Sequence, residues 1–306
     1  LKLKNIECKI LVLSNKPNQF IDLCKGLDII YCDILFNISI LYKNKINIDE
    51  YEHVVDIYKP NIIHSHLYLS EIIVHENPRS EIKYVTHFHW NMEQFSKLNL
   101  RTLISKKGIT NFFEKKRLFR KYNKTDKFFI TISKDCNEYA KVNLPNKFSN
   151  KINLLYNSVN ISRFKNTTKK NLDQIRLINI GNLIENKNQA FLIDITKYIF
   201  EKGFSVQLEL IGDGSTKKSL IDKVARLSLE KNVFFRGSIN KVEKYLWKSN
   251  FYIHTAFKEA FGLVLIEAMA SNTAVISFNG KGNKDIVINN KTGFLIEELD
   301  YKNFGD

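Results

Sequence analysis

QIRLINIGNLIENKNQAFLIDITKYIFEKGFSVQLELIG (174–212) decides the fold. It opens on an apolar, β-branched run that ends at Gly181 and closes on a second that ends at Gly212, with a helix-length stretch between them. Apolar runs without polar alternation belong to strands covered on both faces. Strand, helix, strand in that order is a βαβ unit of a parallel sheet.

The same grammar extends in both directions. Downstream lie NVFFRG (232–237), NFYIHTA (250–256), TAVISF (273–278) and TGFLI (292–296). Upstream lie KILVLS (9–14), DIIYCDILF (28–36), NIIHSHL (61–67), KYVTHFHW (83–90), KFFITIS (127–133) and KINLLYN (151–157), with helix-period segments such as IDEYEHVVDIYK (48–59) between them. A chain of 306 residues exceeds what one core organises, so two doubly wound α/β domains are expected. NSVNISRFKNTTKKNLD (157–173) has neither period and reads as the linker, which gives domains 1–165 and 166–306. Leu1 in place of Met, and an end at FGD inside an opening helix, suggest a fragment truncated at one or both ends.

Composition narrows the class. With 44% hydrophobic and 26% charged residues the chain is globular rather than disordered. Cys8, Cys24, Cys32 and Cys136 stand far apart with no CxxC pair, so neither a zinc knuckle nor a disulfide framework is expected. No apolar run reaches the roughly 20 residues of a membrane-spanning helix, and CKILVLS is too short for a signal peptide; a cytoplasmic protein is the expectation. The formal charge of +15 attracts phosphate as nucleic acid, anionic lipid or a diphosphate ligand. Lys is spread throughout the chain, however, so part of that charge is compositional. KLNLRTLISKKGITNFFEKKRLFRKYNKTDK (97–127) interleaves eleven Lys or Arg with apolar residues. It reads either as a basic helix on an anionic membrane surface or as a solvated helix with its apolar side in the core.

In doubly wound sheets ligands sit beyond the carboxyl ends of the strands. The residues there are His89, Gly181 and Asn182, Gly212 to Gly214, Gly237 and Ser238, and Glu259 to Gly262. EAFGLVLIE (259–267) starts as a loop and turns helical near Phe261, which leaves the amides of Phe261, Gly262 and Leu263 to bind a phosphate. In a continuous helix Glu259 and Glu267 would stand about 12 Å apart along the axis and roughly 80° around it. They do not act on one atom, but they can hold opposite ends of an elongated diphosphate ligand. Two H-x-H pairs, His64/His66 and His87/His89, each present both imidazoles to one strand face. Metal ligation and ordinary packing both fit such pairs, but no Cys or acidic third ligand accompanies them, so no metal is expected.

Glu259 to Ala270 (EAFGLVLIEAMA) resembles the E-x7-E signature of the retaining glycosyltransferases of family 4. NSVNISRF (157–164), IGNLIENKNQ (180–189), LIGDGS (210–215), FRGSI (235–239) and KGNKDIVINNKTGFLI (281–296) stand around it in the family's order. The resemblance is tight over 150–296 and loose before that. It implies the GT-B fold, two Rossmann-like domains facing a central cleft, with the acceptor on the N-terminal side and a nucleotide-sugar donor on the C-terminal one. It further implies that Glu259 contacts hydroxyls of the transferred sugar, Glu267 the ribose, and Lys187 the diphosphate, whose departing charge a fixed ammonium stabilises. Gly181, Asn182, Gly212, Asp213, Gly214, Phe261, Gly262 and Leu263 complete the expected donor contacts. Asn182 stands where many members carry a second diphosphate cation, Arg. His89 in FHWN matches the family's active-site histidine, with His87 as the alternative.

No D-x-D occurs in the chain, and that motif is how another glycosyltransferase class holds a divalent cation. A retaining, metal-independent transfer without cofactor follows from the resemblance. The acceptor is expected to be a glycan or lipid-linked molecule, in capsule, exopolysaccharide or lipopolysaccharide synthesis on the inner face of the cytoplasmic membrane. A basic nucleic-acid-binding protein is the alternative, supported by net charge but by no recognised module motif. A dinucleotide oxidoreductase is set aside, because SNKPNQ stands where G-x-G-x-x-G is needed.

Overall fold

The structure is a computed structural model and describes residues 6–13, 28–34, 46–97, 105–167, 170–171, 173–256 and 258–297. Its strands, all paired in parallel, are β1 (Ile10–Val12), β2 (Ile29–Tyr31), β3 (Ile62–His66), β4 (Lys83–Phe88), β5 (Asp126–Thr131), β6 (Ile152–Leu154), β7 (Ile175–Ile180), β8 (Val206–Ile211), β9 (Val233–Gly237), β10 (Phe251–His254), β11 (Ala274–Phe278) and β12 (Phe294–Ile296). Each apolar run singled out in the sequence holds one of them. The helices are α1 (Asp49–Tyr58), α2 (Leu67–Val74), α3 (Lys106–Tyr122), α4 (Lys134–Asn143), α5 (Ile161–Phe164), α6 (Gln189–Glu201), α7 (Lys217–Arg226), α8 (Glu243–Leu246) and α9 (Leu263–Ala270).

The chain divides into two compact units: residues 1–131 with 136–154, and residues 132–135 with 155–306. In the first, β3-β4-β5-β6 form one sheet and β1-β2 pair separately. A core of Phe88, Phe95, Leu118, Tyr122, Phe129 and Phe148 packs on α3, and a second of Tyr51, Val55, Ile73, Ile82 and Tyr84 packs on α1 and α2.

In the second unit the order is β12-β11-β10-β7-β8-β9. Consecutive strand residues alternate between two cores: Leu177, Leu208 and Ile253 lie in one, Ile178, Tyr252 and Val275 in the other. Both faces are therefore covered, which is why these strands read as largely apolar runs, interrupted in β7 by Arg176 and Asn179 and in β8 by Gln207 and Glu209. The chain lays down β7, β8 and β9 in one direction, then returns to place β10 on the other side of β7. That reversal is a topological switch point, and loops diverging there open a crevice beyond the carboxyl ends of β7 and β10.

The segment expected to be a free linker is instead docked, and 155–165 belongs with the second unit rather than the first. Phe164 is buried among Ile178, Leu246, Tyr252 and Leu265, which contributes roughly 2–3 kcal/mol. The Trp247 indole N–H donates to the Phe164 carbonyl at 2.8 Å, and the Lys170 ammonium donates to the Leu246 carbonyl at 3.1 Å and to Thr273 Oγ1 at 2.6 Å. One aromatic anchor in a polar stretch leaves no periodic signal, so the sequence pattern could not reveal this docking.

The basic segment also resolves in part. Residues 98–104 lie outside the described residues. In α3 the apolar side, Leu118 and Tyr122, enters the core, and several cations are paired: Arg117 and Lys121 both reach Glu76, at 2.5 and 2.6 Å, and Lys107 reaches Glu93 at 2.8 Å. Among the described residues no helix is long and apolar enough to cross a membrane.

Candidate functional site

At the switch point the structure brings Lys187 and Glu259 together. The Lys187 ammonium forms an ion pair with Glu259 Oε2, both side chains half-buried or deeper. Lys187 ends a 3-10 turn (Glu185–Lys187) beyond β7, and Glu259 lies in the loop beyond β10. The two loops are stitched by backbone-directed bonds: Thr255 Oγ1 donates to the Lys187 carbonyl at 2.9 Å, and the Asn186 amide donates to the Lys258 carbonyl at 2.9 Å. A lysine so fixed keeps its charge in place when an anion arrives, which lowers the reorganisation a bound phosphate would require.

Behind this pair stand polar residues that the sequence reading passed over. Gln189, fully buried at the start of α6, donates to the Asn182 carbonyl at 3.1 Å, and Asn179 in β7 donates to the Ile253 carbonyl at 2.8 Å. His254 ends β10 with a nearly buried side chain. Its Nδ1 meets Tyr252 Oη at 3.2 Å, and its Nε2, which has no hydrogen-bond partner among the described residues, lies 3.5 Å from Glu259 Oε2. Burial and the Lys187 charge push its pKa down to about 4, although Glu259 opposes them, so the imidazole is neutral at pH 7. A polar residue inside an apolar strand, Asn179 in RLINI or His254 in FYIHT, was the available signal, since buried polar groups persist only with partners.

The glycine turns pack backbone on backbone. The Gly181 N–H donates to the Ile211 carbonyl at 2.9 Å, and the Leu183 N–H to the Asp213 carbonyl at 2.9 Å. At Gly212, φ is +135° and a Cβ would lie 2.0 Å from the Gly181 carbonyl oxygen, so no side chain fits. Asp213 is held by the Gly214 N–H and by Lys217, each at 2.8 Å, and both contacts lower its pKa.

The helix after Glu259 begins later than the sequence suggested. Its first residue is Leu263, and Gly262 caps it in a left-handed conformation with φ +86°. Phe261 is buried, its ring stacked on Tyr156 at 5.8 Å, so its side chain anchors the turn. The Leu265 N–H is taken by the Gly262 carbonyl at 3.0 Å. The amides of Leu263 and Val264 are then the ones at the helix N-terminus, where intrahelical acceptors are lacking. Since Glu259 precedes the helix, the separation reckoned for one continuous helix does not apply to the Glu259–Glu267 pair. Glu267 lies within α9, where burial, reinforced by Glu243 and opposed by Arg163, raises its pKa. Arg163 is itself held by Glu243 at 2.9 Å and by the Asn240 carbonyl at 2.7 Å.

Residues 160–306 match the family model of the glycosyl transferases group 1. The group 1 match spans every expected donor residue from Gly181 to Glu267. The poly(ribitol-phosphate) alpha-N-acetylglucosaminyltransferase of Staphylococcus aureus is 26% identical over 192 residues, covering 60% of this chain and 38% of that protein. The capsular polysaccharide biosynthesis glycosyltransferase CapM of Staphylococcus aureus is 34% identical over 125 residues, covering 40% of this chain and 33% of that one. This chain thus spans about a third of the length of these curated relatives. Among solved structures, Anabaena Alr3699/HepE in complex with UDP and glucose superposes with a TM-score of 0.71 over 97% of this chain and 80% of that one, at 15% identity. At that identity the likeness speaks for the fold, and the fold is the α/β GT-B class with two Rossmann-like units.

In the first unit, β3 and β4 pair with His66 opposite His87. His64, His66, His87 and His89 stack on the less covered face of these strands, with neighbouring ring centroids 4.5 to 5.3 Å apart, and His66 Nδ1 meets His89 Nε2 at 2.7 Å. Burial holds all of them below the ordinary imidazole pKa, His64 and His87 at about 4.

Proposed function

We propose that this chain is a retaining glycosyltransferase of the family 4 type, moving a sugar from a nucleotide-sugar donor to a glycan or lipid-linked acceptor in bacterial surface-polysaccharide synthesis. The observation that carries the proposal is the Lys187–Glu259 ion pair at the switch point of the second sheet, inside the group 1 match. The names of relatives, a poly(ribitol-phosphate) alpha-N-acetylglucosaminyltransferase and a capsular polysaccharide biosynthesis glycosyltransferase, support the pathway class.

In this reading the donor diphosphate takes the Lys187 ammonium and the Leu263 turn, and its arrival releases Glu259 to accept hydrogen bonds from sugar hydroxyls. As the anomeric C–O bond breaks, charge builds on the diphosphate, and a preorganised cation and amide dipoles stabilise it. Glu267 holds the ribose at the other end. His89 supplies the imidazole implied by the resemblance to the family. Front-face attack by the acceptor hydroxyl retains the anomeric configuration, with no divalent ion assigned to the diphosphate.

Saturation binding and donor hydrolysis across UDP-, GDP- and ADP-sugars test the proposal, with Glu259→Gln and Lys187→Ala as controls. One nucleotide is expected to bind, and both variants to lose turnover by roughly 100-fold, the scale of one preorganised transition-state contact. Failure of every nucleotide sugar to bind, or wild-type behaviour of both variants, overturns it.

A further inference from the structure

We infer that His64, His66 and His87 form a binding site for a borderline divalent cation of the Zn²⁺ class, on the open face of the β3–β4 pair. The sequence pattern lacked an acidic or Cys third ligand, but strand pairing supplies a third imidazole that spacing could not reveal. One ligand nitrogen from each of the three lies within 4.8 Å of the others. A tetrahedral zinc with Zn–N near 2.0–2.1 Å wants its ligand atoms about 3.3 Å apart, so modest side-chain rotation closes the set. Both ring nitrogens of His87 are buried with no hydrogen-bond partner among the described residues, which is costly for a polar group unless something coordinates it. Imidazoles stacked at 4.5 to 5.3 Å repel once protonated, whereas neutral rings present the lone pairs that Zn²⁺, Cu²⁺, Ni²⁺ and Co²⁺ prefer over Mg²⁺ or Ca²⁺. Leu67, just after His66, holds φ at +72°, a conformation disfavoured for a branched residue and kept only where surroundings dictate it. His66 also meets His89 at 2.7 Å, so the cation stands beside the imidazole of the proposed function on which this inference partly rests, and its nitrogen ligands do not suit a diphosphate-bound Mg²⁺.

Untagged, chelator-stripped protein is dialysed against Zn²⁺ and, in parallel, Co²⁺, with bound metal counted and the Co²⁺ visible spectrum recorded. One equivalent is expected, with the intense visible band of a low-coordinate Co²⁺ centre. His64→Asn, at an exposed position, and the double variant with His87→Asn are expected to bind at least ~100-fold more weakly, since even outer-shell losses cost 10–100-fold. Circular dichroism of metal-free samples establishes that the variants fold, and the single variant is decisive if the double one does not. Substoichiometric binding to the wild type, or unchanged affinity in a folded His64→Asn variant, overturns the inference.

Discussion

The two glutamates of the E-x7-E stretch sit in different physical settings. Glu259 is committed to Lys187 before any ligand arrives, so its replacement disturbs the cation that must meet the departing diphosphate. Glu267 sits on α9 with its pKa raised by burial. On the proposed reading, Glu267→Gln raises the donor KM by on the order of tenfold, the worth of one charge-assisted hydrogen bond to a hydroxyl, and leaves kcat nearly unchanged. Glu259→Gln lowers kcat. Steady-state kinetics with a saturable donor separate the two, and a shared effect on kcat alone argues against the assignment of Glu267 to the nucleotide.

At the scale of elements, stability rests on close backbone approach and on one buried ionic network. Gly212→Ala pushes a methyl to 2.0 Å from the Gly181 carbonyl, so the β7 and β8 turns must separate. A loss of about 3 kcal/mol or more is expected, together with weakened donor binding; a denaturant midpoint within error of wild type contradicts it. In the first unit, fully buried Glu71 on α2 accepts from Lys127 at 2.9 Å on β5, from Tyr122 Oη at 2.7 Å on α3, and from Ser65, while Lys127 also meets His75 Nε2 at 3.1 Å. This network ties two helices to the sheet. Lys127→Met leaves a buried carboxylate without its counter-charge and should cost about 3–5 kcal/mol, whereas adding Glu71→Gln should restore more than half, because the neutral amide accepts from Tyr122 through its oxygen and donates to Ser65 Oγ through its nitrogen while Ser65 donates to the Val85 carbonyl. Urea unfolding of the single and double variants decides it.

For the whole molecule the measurable signature is acid sensitivity. His75 in the first unit and His254 in the second are buried and neutral, with pKa values pushed down by burial, and by the neighbouring Lys127 and Lys187, to about 3 and about 4. Unfolded, each returns to about 6.5. Between these values the unfolded chain binds more protons than the folded one, so stability is full above pH 6.5 and falls as pH drops toward 4. Each residue contributes a slope of up to ~1.4 kcal/mol per pH unit. Guanidinium midpoints at pH 7 and pH 5 should differ accordingly, and His254→Asn should flatten the part belonging to the second unit. Two units need not unfold together, so the midpoints are read for each transition.

The sequence by itself determined the strands, because burial on both faces writes largely apolar runs, and it placed Gly181, Lys187, Gly212 and Glu259 in loops of the second sheet, because each lies a few residues past a strand end. Tertiary structure decided what depends on distant residues meeting. The docking of 157–167 rests on buried Phe164 and on the Trp247 bond to its carbonyl, and the start of α9 is delayed to Leu263 by a left-handed Gly262. Lys187 meets Glu259 only because β10 returns beside β7. The histidine cluster likewise exists only because β3 pairs with β4 in one register, a relation between strands that no spacing along the chain encodes.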